Sequence, residues 1–160
     1  MLKIIAEKWA ARQNLLRAKL ARINIDNLNY LDLVKTTFST IYNDEENYLS
    51  LNIDVEKITE IDNGDYQGTL LYILPFSNYH PFETDYFITY VNYGSCSGCD
   101  TLKRIQSLGD WDQETPNEAQ INDLMKLCGD ILVNTIQPYY NSPYNYYKDE
   151  FKEIEYVHED

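Results

Sequence analysis

The chain has 160 residues and 18.8 kDa, 44% of them hydrophobic and 24% charged, which suits one globular domain with its own core. No run approaches the ~18 uninterrupted apolar residues of a membrane span, and a net charge of −13 repels nucleic acid over most of the surface. Three cysteines, an odd number, fit a reducing compartment better than a disulfide framework. The expectation is therefore a cytoplasmic protein with no membrane association and no direct binding of nucleic acid.

Residues 2–23 read as a helix, with Ile5, Trp9, Leu16, Leu20 and Ile23 recurring on one face. Lys3, Lys8, Arg12, Arg17, Lys19 and Arg22 stand against Glu7 alone, so the first 23 residues are net +5 and the rest carries −18. Such a helix suits a nucleic-acid or membrane surface. The reading that needs no partner is that its basic face meets the acidic remainder of its own domain. The stretch has no apolar signal core or cleavage site, which adds to the cytoplasmic expectation.

Asp26 or Asn27 is expected to cap a second helix over 28–42, with Leu28, Leu31, Val34, Phe38 and Ile41 inward. After the polar break Asn43–Asn47 the periodicity becomes two. Leu49, Leu51, Ile53 and Val55 alternate with Ser50, Asn52 and Asp54, and Ile58 and Ile61 extend that strand. Asp62-Asn63-Gly64-Asp65 is a turn. Tyr66–Phe76 and Tyr86–Tyr93 are further strands, the latter expected to pack on both faces. Consecutive strands on short turns predict an antiparallel meander of three to four strands between 49 and 93.

The second half is helical. A helix over Leu102–Leu108 is capped by Asp100 or Thr101, and an acidic loop, Gly109–Glu114, surrounds Trp111. Thr115-Pro116-Asn117-Glu118 reads as a capping box that opens a helix running to about Gln137. Its apolar stripe is Ile121, Leu124, Met125, Cys128, Ile131, Leu132 and Ile136. Ser142-Pro143 opens a last helix to about Val157, apolar along Tyr144, Tyr147, Phe151 and Ile154. With no internal repeat and no linker, residues 1–160 form a single α+β domain. It is a small meander sheet flanked by two N-terminal and two to three C-terminal helices.

The chemical signature lies in Tyr86–Ile105, YFITYVNYGSCSGCDTLKRI, a strand, a Gly-Ser loop holding Cys96 and Cys99, and a helix. In that order the two thiols lie near a helix N-terminus, where the dipole lowers thiol pKa. As a redox site the pair forms a reversible disulfide, although Asp100 beside Cys99 opposes a thiolate. As a zinc site it supplies two of four ligands, the other candidates being Cys128, His80 and His158. As a structural loop it is a tight turn with two small side chains. Cys128 sits mid-stripe, which favours core over ligand and so weakens the zinc reading.

The runs YQGTLLYIL and YFITYVNYGSCSGCDTL resemble a segment of uncharacterised proteins of phages and bacteria, over Asp65 to Ile105. The resemblance implies a phage or mobile-element origin and assigns no residue a role.

No Gly-rich phosphate loop, Gly-x-Ser-x-Gly or HExxH is present, so a non-enzymatic protein without a cofactor is the expectation. Carboxylates spaced on a folded surface mimic phosphates and occupy a Lys/Arg-lined groove in a protein partner. The clusters suited to this are Asp44, Glu45 and Glu46; Asp110, Asp112 and Glu114; and Asp149, Glu150, Glu153 and Glu155. The chain holds 15 Tyr, and Tyr139, Tyr140, Tyr144 and Tyr146 offer aromatic anchors among those charges. The functional expectation is an anti-CRISPR or anti-restriction type of inhibitor, acting on a host nucleic-acid-binding defence protein by mimicry. The rival is a thiol-redox or zinc module centred on Cys96 and Cys99.

Overall fold

The central strand of the sheet is β2, Gly68–Pro75. It pairs antiparallel with β1, Thr59–Asp62, on one side and β3, Tyr86–Tyr93, on the other. The computed structural model describes residues 2–47, 51–77 and 86–137. Its helices are α1 (Leu2–Leu20), α2 (Tyr30–Thr37), α3 (Thr101–Ser107) and α4 (Glu118–Val133). The fold is thus α+β with a small meander sheet, two helices before it and two after it among the described residues. None of the described helices is long and apolar enough to cross a membrane.

Phe87, Thr89 and Val91 of β3 are buried, while the intervening Tyr86, Ile88, Tyr90 and Asn92 are half-buried or exposed. The strand is therefore packed on one face and not on both, as an antiparallel sheet against one helical layer requires. Its buried face meets α4, where Thr89 Oγ1 donates to Ile131 O at 2.7 Å. Phe87 stacks edge-on against Tyr42 (5.3 Å between centroids) and Phe76 (4.8 Å), joining sheet to helices.

The expected strand over 49–55 does not form among its described residues, 51–55. Ile53 makes one bridge to Phe76, and Val55–Lys57 is a 3-10 turn capped by Asp54. Two backbone bonds, Asp54 N to Pro75 O (2.9 Å) and Ser77 N to Asn52 O (2.8 Å), flank that bridge, and side chains bind the backbone groups on the side away from β2. Asn43 binds both Ile53 N (2.7 Å) and Ile53 O (2.9 Å), and Asn52 pairs with the Asp44 backbone. The strand proper begins later, at Thr59.

Other boundaries move for similar reasons. The second helix is capped by Asn29, boxed with Asp32, and not by Asp26 or Asn27. Asn24 instead caps a short 3-10 turn at Ile25–Asn27. Residues Phe38–Tyr42 then widen into a π-helical turn. For α4 the box is Asn117 with Gln120, so Pro116 lies before the cap and not at the first helical position. Gln120 is the better partner because its amide is buried and also donates to Ile105 O at 2.9 Å. The helix α4 stops at Val133, and Ile136 bonds Ile88 across the free edge of β3, both ways at 2.8 Å. The expected last helix, over 143–157, lies outside the described residues.

The basic face of α1 meets its own domain. Lys8 Nζ donates to Tyr42 O at 2.7 Å and lies over the Tyr42 ring. Arg12 binds the carbonyls of Ile41 and Asn43 and the Asp44 carboxylate. Lys19 reaches Thr40 Oγ1 (3.0 Å), and Arg17 reaches Glu118 (3.2 Å). Cations thus close the carbonyl end of the π-helical turn, which a helix C-terminus favours. Phe87→Ala, which removes the ring shared by Tyr42 and Phe76, is expected to cost about 3–5 kcal/mol. Urea denaturation followed by circular dichroism measures it.

Candidate functional site: the Cys96–Cys99 loop and the cleft beside it

The chain leaves β3 through Gly94. A Cβ there would lie 2.5 Å from Cys99 Sγ and 2.6 Å from Cys99 O, so only glycine allows the loop to close. The carbonyl of Cys96 accepts from the amides of Cys99 (3.1 Å) and Asp100 (2.9 Å), folding the four residues into a turn. Asp100 then points inward, 4% exposed. Its carboxylate accepts from Gly94 N, Tyr30 OH and Lys103 N, each at 2.9 Å. The Tyr30 phenolic oxygen in turn accepts from Leu102 N at 3.1 Å, and burial raises its phenol pKa well above the usual range.

These contacts correct the expected role of the helix end. The α3 amides of Leu102 and Lys103 are taken by Tyr30 and Asp100, not by the thiols, and α3 has only seven residues. What brings the sulfurs together is the turn itself.

Cys96 Sγ and Cys99 Sγ are 3.0 Å apart, and both residues are exposed. Cys99 Sγ also lies 3.2 Å from Cys96 N and 4.0 Å from Ser95 Oγ. The hydrogen bond from Cys96, and then its backbone amide, lower the Cys99 thiol pKa below its ordinary value. Cys128 is buried in the α4 stripe, and burial pushes its thiol up to about 11. Among the described residues no three His, Cys, Asp or Glu gather as a metal-holding group, and His80 and His158 lie outside them.

A cleft of ≈ 640 Å³ adjoins the loop, its lining including Gly94, Ser95, Lys103, Glu60, Asp62 and Asp65. Tyr30 and Asp100 form part of its lining. Tyr93 OH lies 2.5 Å from Asp62 Oδ1 and 2.7 Å from Gly64 O, two acceptors for its one proton. The bond to Asp62, with Gly64 N–H, holds the Asp62 carboxyl below its usual range and raises Tyr93 to about 12. Lys103 Nζ donates to Ser95 O at 3.2 Å.

The acidic clusters fare differently. Asp44 is half-buried and paired with Arg12 at 3.4 Å, which leaves Glu45 and Glu46 as the exposed members. Asp110, Asp112 and Glu114 are all exposed, and Trp111 between them is 96% exposed. Asp149, Glu150, Glu153 and Glu155, with Tyr139, Tyr140, Tyr144 and Tyr146, lie outside the described residues. Sequence reasoning missed Tyr30 and the cleft. Tyr30 meets Asp100 across 70 residues of sequence, and local pattern carries no such pairing.

Tyr30→Phe leaves Asp100 and Leu102 N each short of one partner, and a loss of about 1–3 kcal/mol is expected in chemical denaturation. An NMR titration of Asp62 is expected to give a midpoint below the 3.8 of a free side chain, rising toward it in Tyr93→Phe. The contribution of Asp62 to stability is complete above the unfolded pKa and is lost as pH falls through the lower folded value.

Comparison of the chain with protein-family models, with curated proteins and with solved structures finds no match in any of the three.

Proposed function

We propose that the chain is a non-enzymatic acidic interaction protein that seats exposed carboxylates in a basic groove of a protein partner. The observation that carries this reading is the Gly109–Glu114 loop, where Asp110, Asp112 and Glu114 surround a Trp111 side chain that is 96% exposed. An indole left in water is a large apolar area that contact with a partner would remove. The flanking carboxylates steer a basic surface toward it and align it. Glu45 and Glu46 add exposed charge elsewhere.

The partner class that fits is a nucleic-acid-binding protein, because its groove presents Lys and Arg at phosphate spacing. In the phage or mobile-element setting implied by the YQGTLLYIL and YGSCSGCD runs, that partner is a host defence nuclease or a related protein. The cationic face of α1 does not compete for the role, since Lys8, Arg12, Arg17 and Lys19 bind within the domain.

The test is capture from a host lysate at low and high salt. A nucleic-acid-binding protein should be retained at low salt and released by added salt or by duplex DNA. Trp111→Ala should weaken binding by about 30-fold or more, the scale of a hot-spot residue. Asp110→Lys with Asp112→Lys should abolish it. Capture that survives charge reversal but fails on Cys96→Ser and Cys99→Ser would sink the mimicry reading.

A further inference from the structure

The acidic loops leave the thiol pair unexplained. Two exposed sulfurs stand 3.0 Å apart on a turn that Asp100 fixes from beneath, and they differ in surroundings. Cys99 Sγ accepts from the Cys96 amide at 3.2 Å and has two groups able to donate to it, the Cys96 thiol at 3.0 Å and the Ser95 hydroxyl at 4.0 Å, beside the Cys96 carbonyl at 3.4 Å. Cys96 Sγ has Cys99 Sγ as its polar neighbour among the described residues. Hydrogen-bond donors favour the charged sulfur, so the negative charge settles on Cys99.

We propose that Cys96 and Cys99 form a thiol–disulfide exchange site in which Cys99 attacks and Cys96 resolves, and which prefers cationic disulfides. The steps balance without a cofactor. The Cys99 thiolate attacks one sulfur of a disulfide RS–SR, a new S–S bond forms, and RS⁻ leaves and takes a proton from water. Cys96 gives its proton to water and attacks Cys99 Sγ, and the second RS⁻ leaves. Two protein thiols are oxidised to one disulfide while one substrate disulfide is reduced to two thiols. The sulfurs need only close from 3.0 Å to bonding distance, and the turn already holds both residues.

The charge preference follows from the neighbouring cleft. Ser95, next to Cys96, forms part of its wall, and three carboxylates, Glu60, Asp62 and Asp65, line the same space with one cation, Lys103. A disulfide bearing ammonium groups meets these carboxylates favourably, whereas one bearing carboxylates is repelled. This proposal needs neither Trp111 nor the acidic loops.

The experiment follows oxidation of the reduced full chain by cystamine and by glutathione disulfide, with peptide mapping by mass spectrometry. Cystamine should give the Cys96–Cys99 disulfide with no retained adduct and with Cys128 still reduced. Cys96→Ser should trap the mixed disulfide on Cys99, and Cys99→Ser should slow adduct formation about tenfold or more. At low salt cystamine should react about tenfold or more faster than glutathione disulfide, the gap closing as salt rises. Glu60→Gln with Asp65→Asn should narrow that gap, while Glu7→Gln with Asp130→Asn, exposed on α1 and α4, should not. A wild-type chain that forms no intramolecular disulfide, or a Cys99→Ser chain that reacts at the wild-type rate, overturns the exchange site. Equal rates for the two disulfides, or equal narrowing in the two charge variants, overturn the preference.

Discussion

A carboxylate with 4% of its surface exposed has to find donors, because removing it from water costs several kcal/mol. Asp100 finds them in three places: the end of β3 at Gly94, the side chain of Tyr30 on α2, and the first turn of α3 at Lys103. Each donor belongs to a different element, so the one side chain sets where sheet and helices meet. The Cys96–Cys99 turn spans the gap between two of those donors. Moving the turn away from Gly94 would cost the buried carboxylate one of its three donors, and the thiols inherit their spacing from that constraint.

Local signals in the chain carry a large part of this architecture. The β3 boundaries, Tyr86–Tyr93, follow from alternation and from Gly94, and of the two expected caps, Asp100 and Thr101, the structure selects Asp100. The proximity of the two cysteines follows from their spacing. What was not legible involves competition between partners. Asn43 and Ile53 are ten residues apart, yet the Asn43 amide binds both backbone groups of Ile53 on the side away from β2, a pairing that alternation does not reveal. Gln120 displaces Glu118 as the capping-box partner because it also reaches Ile105 from a buried position. The cleft was illegible for the same reason, since its walls come from segments that only the tertiary fold brings together.

The charge distribution ties α1 to the rest of the surface. Lys8, Arg12, Arg17 and Lys19 are drawn onto carbonyls, a hydroxyl and carboxylates of the domain, so much of the positive charge of the first helix is used internally. Most of these contacts go to the π-helical turn and the residue after it, where unpaired carbonyls need donors. The outer surface is left more acidic than an even mixing of the same residues would make it. That imbalance is what both the Trp111 loop and the thiol cleft present to a partner.

One edge of the sheet has a further consequence. The outer strand β1 is only four residues long, and all four, Thr59, Glu60, Ile61 and Asp62, are exposed. A bare strand edge is a template on which another chain can polymerise. Here two of the four residues are carboxylates, so a second copy docking edge to edge would bring like charges together. The opposite edge, along β3, is already occupied at Ile88 by Ile136. Among the described residues, edge-to-edge pairing of two copies through β1 is therefore opposed by charge, the more so at low ionic strength.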